Sequence, residues 1–206
     1  MQTKTTNALV HKKSNQIRLA KLAKLIAGHP LRGRIEDDPD GDISVVQLKN
    51  VDPVAGVNMA KLPKIVSTGR RQPTFLKQGD ILFVNRGMRF FGAYVDKPLD
   101  RVVAAPHFFI IQADQDRILP EYLNWFLNSR RAQRYYSQCA AGTALPHITR
   151  KTLDDLPVDV PSLDRQALIA KVYRCSLRER ELTERLLERH ELLVSSLLDT
   201  ASRTSK

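Results

Sequence analysis

Residues 162–206 contain neither glycine nor proline. A run of that length without either breaker propagates as a single helix, because those two residues cost an α-helix interior about 1 and 3 kcal/mol relative to alanine. Ile169, Val172, Cys175, Leu182, Leu186, Leu193 and Leu197 fall on it at spacings of three, four and seven, the pattern of a face packed against another helix. Glu179 and Arg189 interrupt a strict heptad. From Leu168 to Leu198 the rod measures roughly 46 Å at 1.5 Å per residue. A head of about 150 residues cannot bury the whole stripe. The expectation is pairing with a second chain through Val172, Leu182, Leu186, Leu193 and Leu197; the alternative is a helix lying back across its own head.

The stretch joining the two parts runs from Gly142 to Gln166 (GTALPHITRKTLDDLPVDVPSLDRQ). Gly142-Thr143 ends the helix before it, and Thr149–Leu156 forms about two turns. Pro157 stops these, since a proline pushes its predecessor out of the helical region. Val158–Val160 is extended, and Pro161-Ser162 opens the long helix, with Ser162 as cap and Asp164 in the first turn.

Ahead of this hinge the chain is mostly β. Ile17–Ile26 is apolar at mixed spacing, compatible with helix or strand, and Gly28-His29-Pro30 ends it. Strands are expected at Ile43–Val51, Leu62–Val66, Ile81–Val84, Tyr94-Val95, Val102–Ala105 and His107–Gln112. Ile81–Val84 and His107–Gln112 are apolar on both faces and therefore buried on both. Pro120 and Glu121 suit a helix N-terminus, with Tyr122, Leu123, Phe126 and Leu127 on one face and Arg130, Arg131 and Arg134 at its far end. The fold class is α+β: a mostly-β head with short helices, then one long C-terminal helix forming a dimeric coiled coil. The expected division is a disordered basic arm at 1–16, a head at 17–160, and the helix at 161–206.

Lysine and arginine number 33 against 22 acids, a net charge of +11, which points to a polyanionic partner. Eight of these cations precede the first acid, Glu36, so their field is not locally cancelled. No apolar run approaches the roughly 18 residues that span a bilayer, and no secretory h-region opens the chain. Cys139 and Cys175 stand in no metal-like spacing and indicate a reducing compartment. A cytoplasmic protein is expected.

Catalysis finds no residues to carry it. Methyl transfer to a base amine calls for an Asn/Asp-Pro-Pro-aromatic loop and a glycine-rich cofactor turn, and neither occurs. No glutamate is followed two residues later by lysine, as a metal nuclease of that type needs. Gly-rich phosphate loops and zinc-spaced His/Cys sets are also missing. His107 and His147, taken singly, read as structural. No cofactor, no metal and no enzymatic activity are expected; the chain reads as a binder.

What remains is arginine at predicted strand ends. Arginine forks onto phosphate or onto guanine O6/N7, and short loops between buried strands bring it to a groove. Arg32, Arg34, Arg70, Arg71, Arg86 and Arg89 are the expected DNA contacts in loops. Thr143, His147, Arg150 and Lys151 are expected near the backbone or groove edge. Taken one at a time, each arginine reads better as solvated surface charge; as a group, on a chain with this charge excess, they favour contact with DNA or RNA. A basic RNA-binding protein with a helical dimerisation arm explains the charge as well, and a helical scaffold with no nucleic-acid role explains the helix.

An ordered set of short motifs separates these readings. It comprises Leu76–Leu82 (LKQGDIL) with Arg86-Gly87, Pro120–Leu123 (PEYL) with Leu127–Ser129 (LNS), and Gly142-Thr143 with His147-Ile148. Leu153–Pro161 (LDDLPVDVP), Gln166 and Ile169-Ala170 complete it. In order and spacing the set resembles the specificity (S) subunit of type I restriction-modification enzymes, across about residues 17–200. Pro161, Leu163 and Gln166 match the Pro-x-Leu-x-x-Gln segment that opens that family's connecting helix. The resemblance implies a target-recognition domain that reads one half of a split double-stranded DNA target, in a system of phage defence. It implies docking to a methyltransferase (M) subunit and through it to a restriction (R) subunit, which carry the chemistry. A full S subunit has two recognition domains and two helices. This chain has one of each, which implies a half-subunit restored by homodimerisation through antiparallel helices.

Overall fold

Every side chain of the run Ile81–Val84 is buried, and the head is layered around it. The computed structural model describes residues 16–31, 35–66, 72–142 and 144–203. Its strands, in chain order, are β1 (Gln16–Arg18), β2 (Ala23–Ala27), β3 (Ile43–Val46), β4 (Val51–Asp52), β5 (Gly56–Val57) and β6 (Lys64–Ile65), then β7 (Ile81–Val84), β8 (Gly92–Tyr94), β9 (Val102–Ala104), β10 (Phe108–Ala113) and β11 (Pro157–Asp159). The helices are α1 (Pro120–Leu127), α2 (Arg130–Cys139), α3 (Arg150–Asp154) and α4 (Leu163–Arg203). The result is the α+β class expected, with a mostly-β head and a long terminal helix.

Four strands form an antiparallel sheet in the order β2-β10-β7-β8. Alternation along β7 divides the core. Ile81 and Phe83 face α1 and α2, in a cluster with Leu19, Tyr122, Phe126 and Tyr136. Leu82 and Val84 face the other way, onto the three-stranded sheet β6-β3-β9, among Ile43, Val45, Val103 and Ile110. Helices, sheet and second sheet thus make three layers. Full burial contributes about 1.5–3 kcal/mol per large apolar side chain, so a strand apolar on both faces belongs in the middle layer.

The ambiguous segment Ile17–Ile26 is neither one helix nor one strand. It is β1, a single 3-10 turn at Leu19–Lys21, and β2. β1 pairs with β11, setting Ile17 beside Val158, so the start of the described chain is tied to the hinge.

The helix expected from Pro120 through Arg134 is two helices. Asn128 ends α1, and the Ser129 side chain accepts from the Ala132 N–H to start α2. The reason lies in the sheet. Asn128 accepts from the Gly92 N–H at 3.1 Å and donates from Nδ2 to the Gly92 carbonyl at 2.8 Å. One amide thus serves as the pairing partner for the edge strand β8. Gly92 permits this approach, since a Cβ there would meet Asn124 Oδ1 at 3.0 Å and Ile81 Cγ2 at 3.1 Å. Arg131 then reaches the Asp159 carboxylate instead of ending a helix. The helix before the hinge also stops earlier than Gly142, at Cys139.

The hinge follows the sequence closely. Thr149 caps α3, accepting from the Thr152 N–H at 3.1 Å, and Pro157 opens β11 rather than extending the helix. The basic arm expected at 1–16 lies outside the described residues apart from Gln16, which sits in β1.

Candidate nucleic-acid interface

At the end of the central sheet where β7 finishes and β10 begins, the backbone of Asn85 ties three segments together. Its N–H donates to the His107 carbonyl at 3.1 Å, and its carbonyl accepts from Ile148 N–H at 2.8 Å. Next along, Arg86 and His147 form a β-bridge, and the Gly87 N–H donates to the Pro146 carbonyl at 3.0 Å. His147 also bridges Ala141 through reciprocal bonds of 2.9 and 3.0 Å. Arg86, Met88 and Arg89 are left exposed on a loop whose backbone is held at both ends. Loops fixed by a rigid sheet are where binding residues concentrate.

Of the contacts expected from sequence, this geometry unites Arg86, Arg89 and His147. Arg89 lines a cleft of about 590 Å³ together with Phe90, Tyr136, Tyr173 and Arg180, so two of its neighbours come from α4. Arg150 and Lys151 are exposed at the start of α3. Arg150 pairs with Asp154 at 3.5 Å and borders a different groove, shared with Lys21 and Lys24. Arg32, Arg34, Arg70, Arg71 and Thr143 lie outside the described residues.

Two residues at this end of the sheet were not among the expected contacts. His107 is exposed beside Asn85, and it shares a shallow groove of about 450 Å³ with Lys49. Antiparallel pairing of two buried strands could have found His107: the residue before one strand lies level with the residue after the other. Arg101, just before β9, serves the fold. Its guanidinium binds the Asp42 carboxylate and carbonyl, and it stacks on Phe75 at 5.4 Å.

The arm is fixed to the head by a buried amide. Gln166 is fully buried in the first turn of α4. Its Oε1 accepts from the Leu119 N–H at 2.8 Å, and its Nε2 donates to the Pro161 and Arg117 carbonyls at 2.9 and 3.2 Å. Tyr122 donates to the Asp159 carbonyl at 2.7 Å; burial, with the Asp159 charge adding to it, pushes its phenol up to about 12. Ile169, Ala170, Tyr173 and Leu177 continue the head-facing side of α4.

The alternative expectation for the long helix, a return onto its own head, holds for its N-terminal part only. Its first turns lie on the head, and Ile169 belongs to that contact rather than to the outward stripe. Beyond Glu181 every described residue of α4 is exposed. Val172, Leu182, Leu186, Leu193 and Leu197 expose 49–70% of their surface. Among the described residues no helix is long and apolar enough to cross a membrane.

No family model matches the sequence. A stretch of 102 residues is 29% identical to the type I restriction enzyme HindI specificity subunit of Haemophilus influenzae, covering 47% of this chain and 22% of that one. The fold matches the S subunit of a type I restriction-modification system from M. genitalium (TM-score 0.59, 15% identity, 91% of this chain and 46% of that chain). It also matches a chain from a structure of type I restriction-modification complex assembly and conformational transition (TM-score 0.65, 19% identity, 92% and 48%). This chain therefore spans about half the length of the solved chains it matches, and the likeness read from its motifs extends to its fold.

Proposed function

We propose that this chain, which has the fold of one half of a type I specificity subunit, reads one half of a split double-stranded DNA target and performs no reaction itself. The observation that carries this reading is coverage: nine-tenths of the chain superposes on about half of each solved S subunit. Residues 17–160 are the reading head and 161–206 the arm that spaces it from its counterpart. Arg86, Arg89 and His147 contact the DNA from the loops at the end of the central sheet, and Arg150 and Lys151 touch the backbone from α3. Arg32, Arg34, Arg70, Arg71 and Thr143, outside the described residues, are further DNA contacts in this reading on the sequence alone. A methyltransferase subunit docks on the assembly and brings the restriction subunit with it. A second copy of this chain covers the exposed stripe of α4 and supplies the missing half, in the cytoplasm.

The test is competition binding with duplex DNA, single strands and structured RNA at several salt concentrations. Duplex preference with a steep salt slope is expected; preference for structured RNA transfers the charge argument to an RNA-binding protein. Co-purification from the native cell, with methylated sites mapped in the presence and absence of this chain, tests the methyltransferase partner.

A further inference from the structure

Docking on the head divides α4 into two faces. Gln166, Ala170, Tyr173 and Leu177 point inward. On the opposite side Leu168, Val172, Cys175, Leu182, Leu186 and Leu193 are exposed. They alternate at spacings of four and three, with Glu179 and Arg189 filling the two positions that the alternation leaves open. This is an unbroken heptad seam, and only its two polar members need explaining. Both are exposed, and among the described residues neither is in an ion pair.

Pairing of two such seams buries Glu179 and Arg189, and a buried charge without a partner is costly. A parallel pair in register sets Glu179 against Glu179 and Arg189 against Arg189, like against like. An antiparallel pair whose twofold axis lies level with Glu184 sets Glu179 against the second copy's Arg189, twice. The same register places Leu182 against Leu186 on both sides of the axis and Cys175 against Leu193. Lys171 then lies near the second copy's Asp199, at positions flanking the seam. Sliding one helix by a heptad sets Glu179 against Leu182 or Ser196 and Arg189 against Val172 or Leu186. Near the axis Arg185 faces its own copy, and each Arg185 pairs with Glu181 of its own helix at 2.7 Å, a carboxylate it shares with Arg178.

We infer that α4 is self-complementary: it pairs antiparallel with the α4 of a second copy in the register that forms two Glu179–Arg189 ion pairs about an axis at Glu184. This rests on the reading that a second copy covers the arm antiparallel, and adds the register and the charge pair that fixes it. The charge pair specifies the assembly, as polar residues inside a coiled-coil seam do.

Cysteine crosslinking of the full chain tests it. In a Cys139→Ser background, Leu193→Cys should give a disulfide-linked dimer through Cys175 on mild oxidation, whereas the background alone should give none. Glu179→Arg and Arg189→Glu should each weaken dimerisation at least tenfold in sedimentation equilibrium, and the double exchange should restore it. A dimer that crosslinks through Cys175 to Cys175, or that the double exchange leaves weak, overturns the register while the dimer stands. A monomer at tens of micromolar, with the crosslink absent, overturns the dimer reading as well.

Discussion

Gln166 is the residue on which the arm's direction depends. Its amide satisfies one buried N–H and two carbonyls contributed by the segment before α1 and by the hinge. Gln166→Ala leaves these groups unpaired, at about 1–3 kcal/mol for each that water cannot reach. The expected loss is about 2–4 kcal/mol of unfolding free energy in urea titration. Gln166→Glu should be worse at neutral pH, because a carboxylate then faces the Pro161 and Arg117 carbonyls. Its deficit should shrink as pH falls and the acid protonates; an unchanged deficit from pH 7 to 4 contradicts the assignment. Arg86 makes a separate case. It is exposed and its backbone is bridged to His147, so Arg86→Ala should leave stability unchanged. If Arg86 meets a phosphate, the variant's slope of log affinity against log salt should fall by about 1. A variant weakened equally at every salt concentration places the residue elsewhere.

Among the elements, α1 and the edge strand β8 are joined through one close approach, and Gly92 permits it. Gly92→Ala pushes a methyl group into Asn124 Oδ1 and Ile81 Cγ2. Overpacking of this kind costs about 1–3 kcal/mol, measurable as a lower thermal midpoint, and should loosen the Asn128 bridge as judged by hydrogen exchange at the Gly92 amide. The break between α1 and α2 is where the sequence was least legible. Leu127–Ser129 carries no proline or glycine, and the signal that ends α1 is a contact with a strand 36 residues away in the chain. Local periodicity cannot see such a contact. What the sequence did show came from strong local rules: Ile81–Val84 apolar on both faces, Thr149 before α3, Pro157 after it, and the breaker-free run of α4. Ile17–Ile26 stayed ambiguous because a 3-10 turn shifts the phase of its apolar residues between two strands. In the interface, Arg86 and His147 were visible as a loop arginine and a turn histidine, but the bridge between them joins distant segments. His107 escaped because it reads as the first residue of a buried strand, and Arg150 was placed by charge alone, without the Asp154 that pairs with it.

For the molecule as a whole, alkali and symmetry each give a measurable outcome. Burial holds the phenols of Tyr94 and Tyr122 up to about 12, the first beside Glu121 and the second beside Asp159. The fold favours the neutral phenols over the unfolded chain's value near 10. Their contribution is therefore complete below pH 10 and lost as pH rises through 12. Tyrosinate absorbance should lag model tyrosine in this window and then rise cooperatively with loss of helical circular dichroism; independent titration at pH 10 contradicts the burial. Symmetry bears on the target. From Glu184 to the start of α4 at Leu163, a helix rises about 31 Å, so an antiparallel pair holds its two hinges roughly 60 Å apart with the heads related by a twofold axis. Two identical readers so related face opposite ways along a duplex, and only an inverted repeat offers both of them the same half-site. Selection from a random duplex library should then recover a split palindrome with a fixed gap. Moving one half-site by a few base pairs, or reversing it to a direct repeat, should return affinity to that of a single head, because the rigid arm lets the second site contribute only when geometry allows both to engage. Recovery of a single ungapped motif, or equal affinity for inverted and direct repeats, means that the arms do not couple the heads.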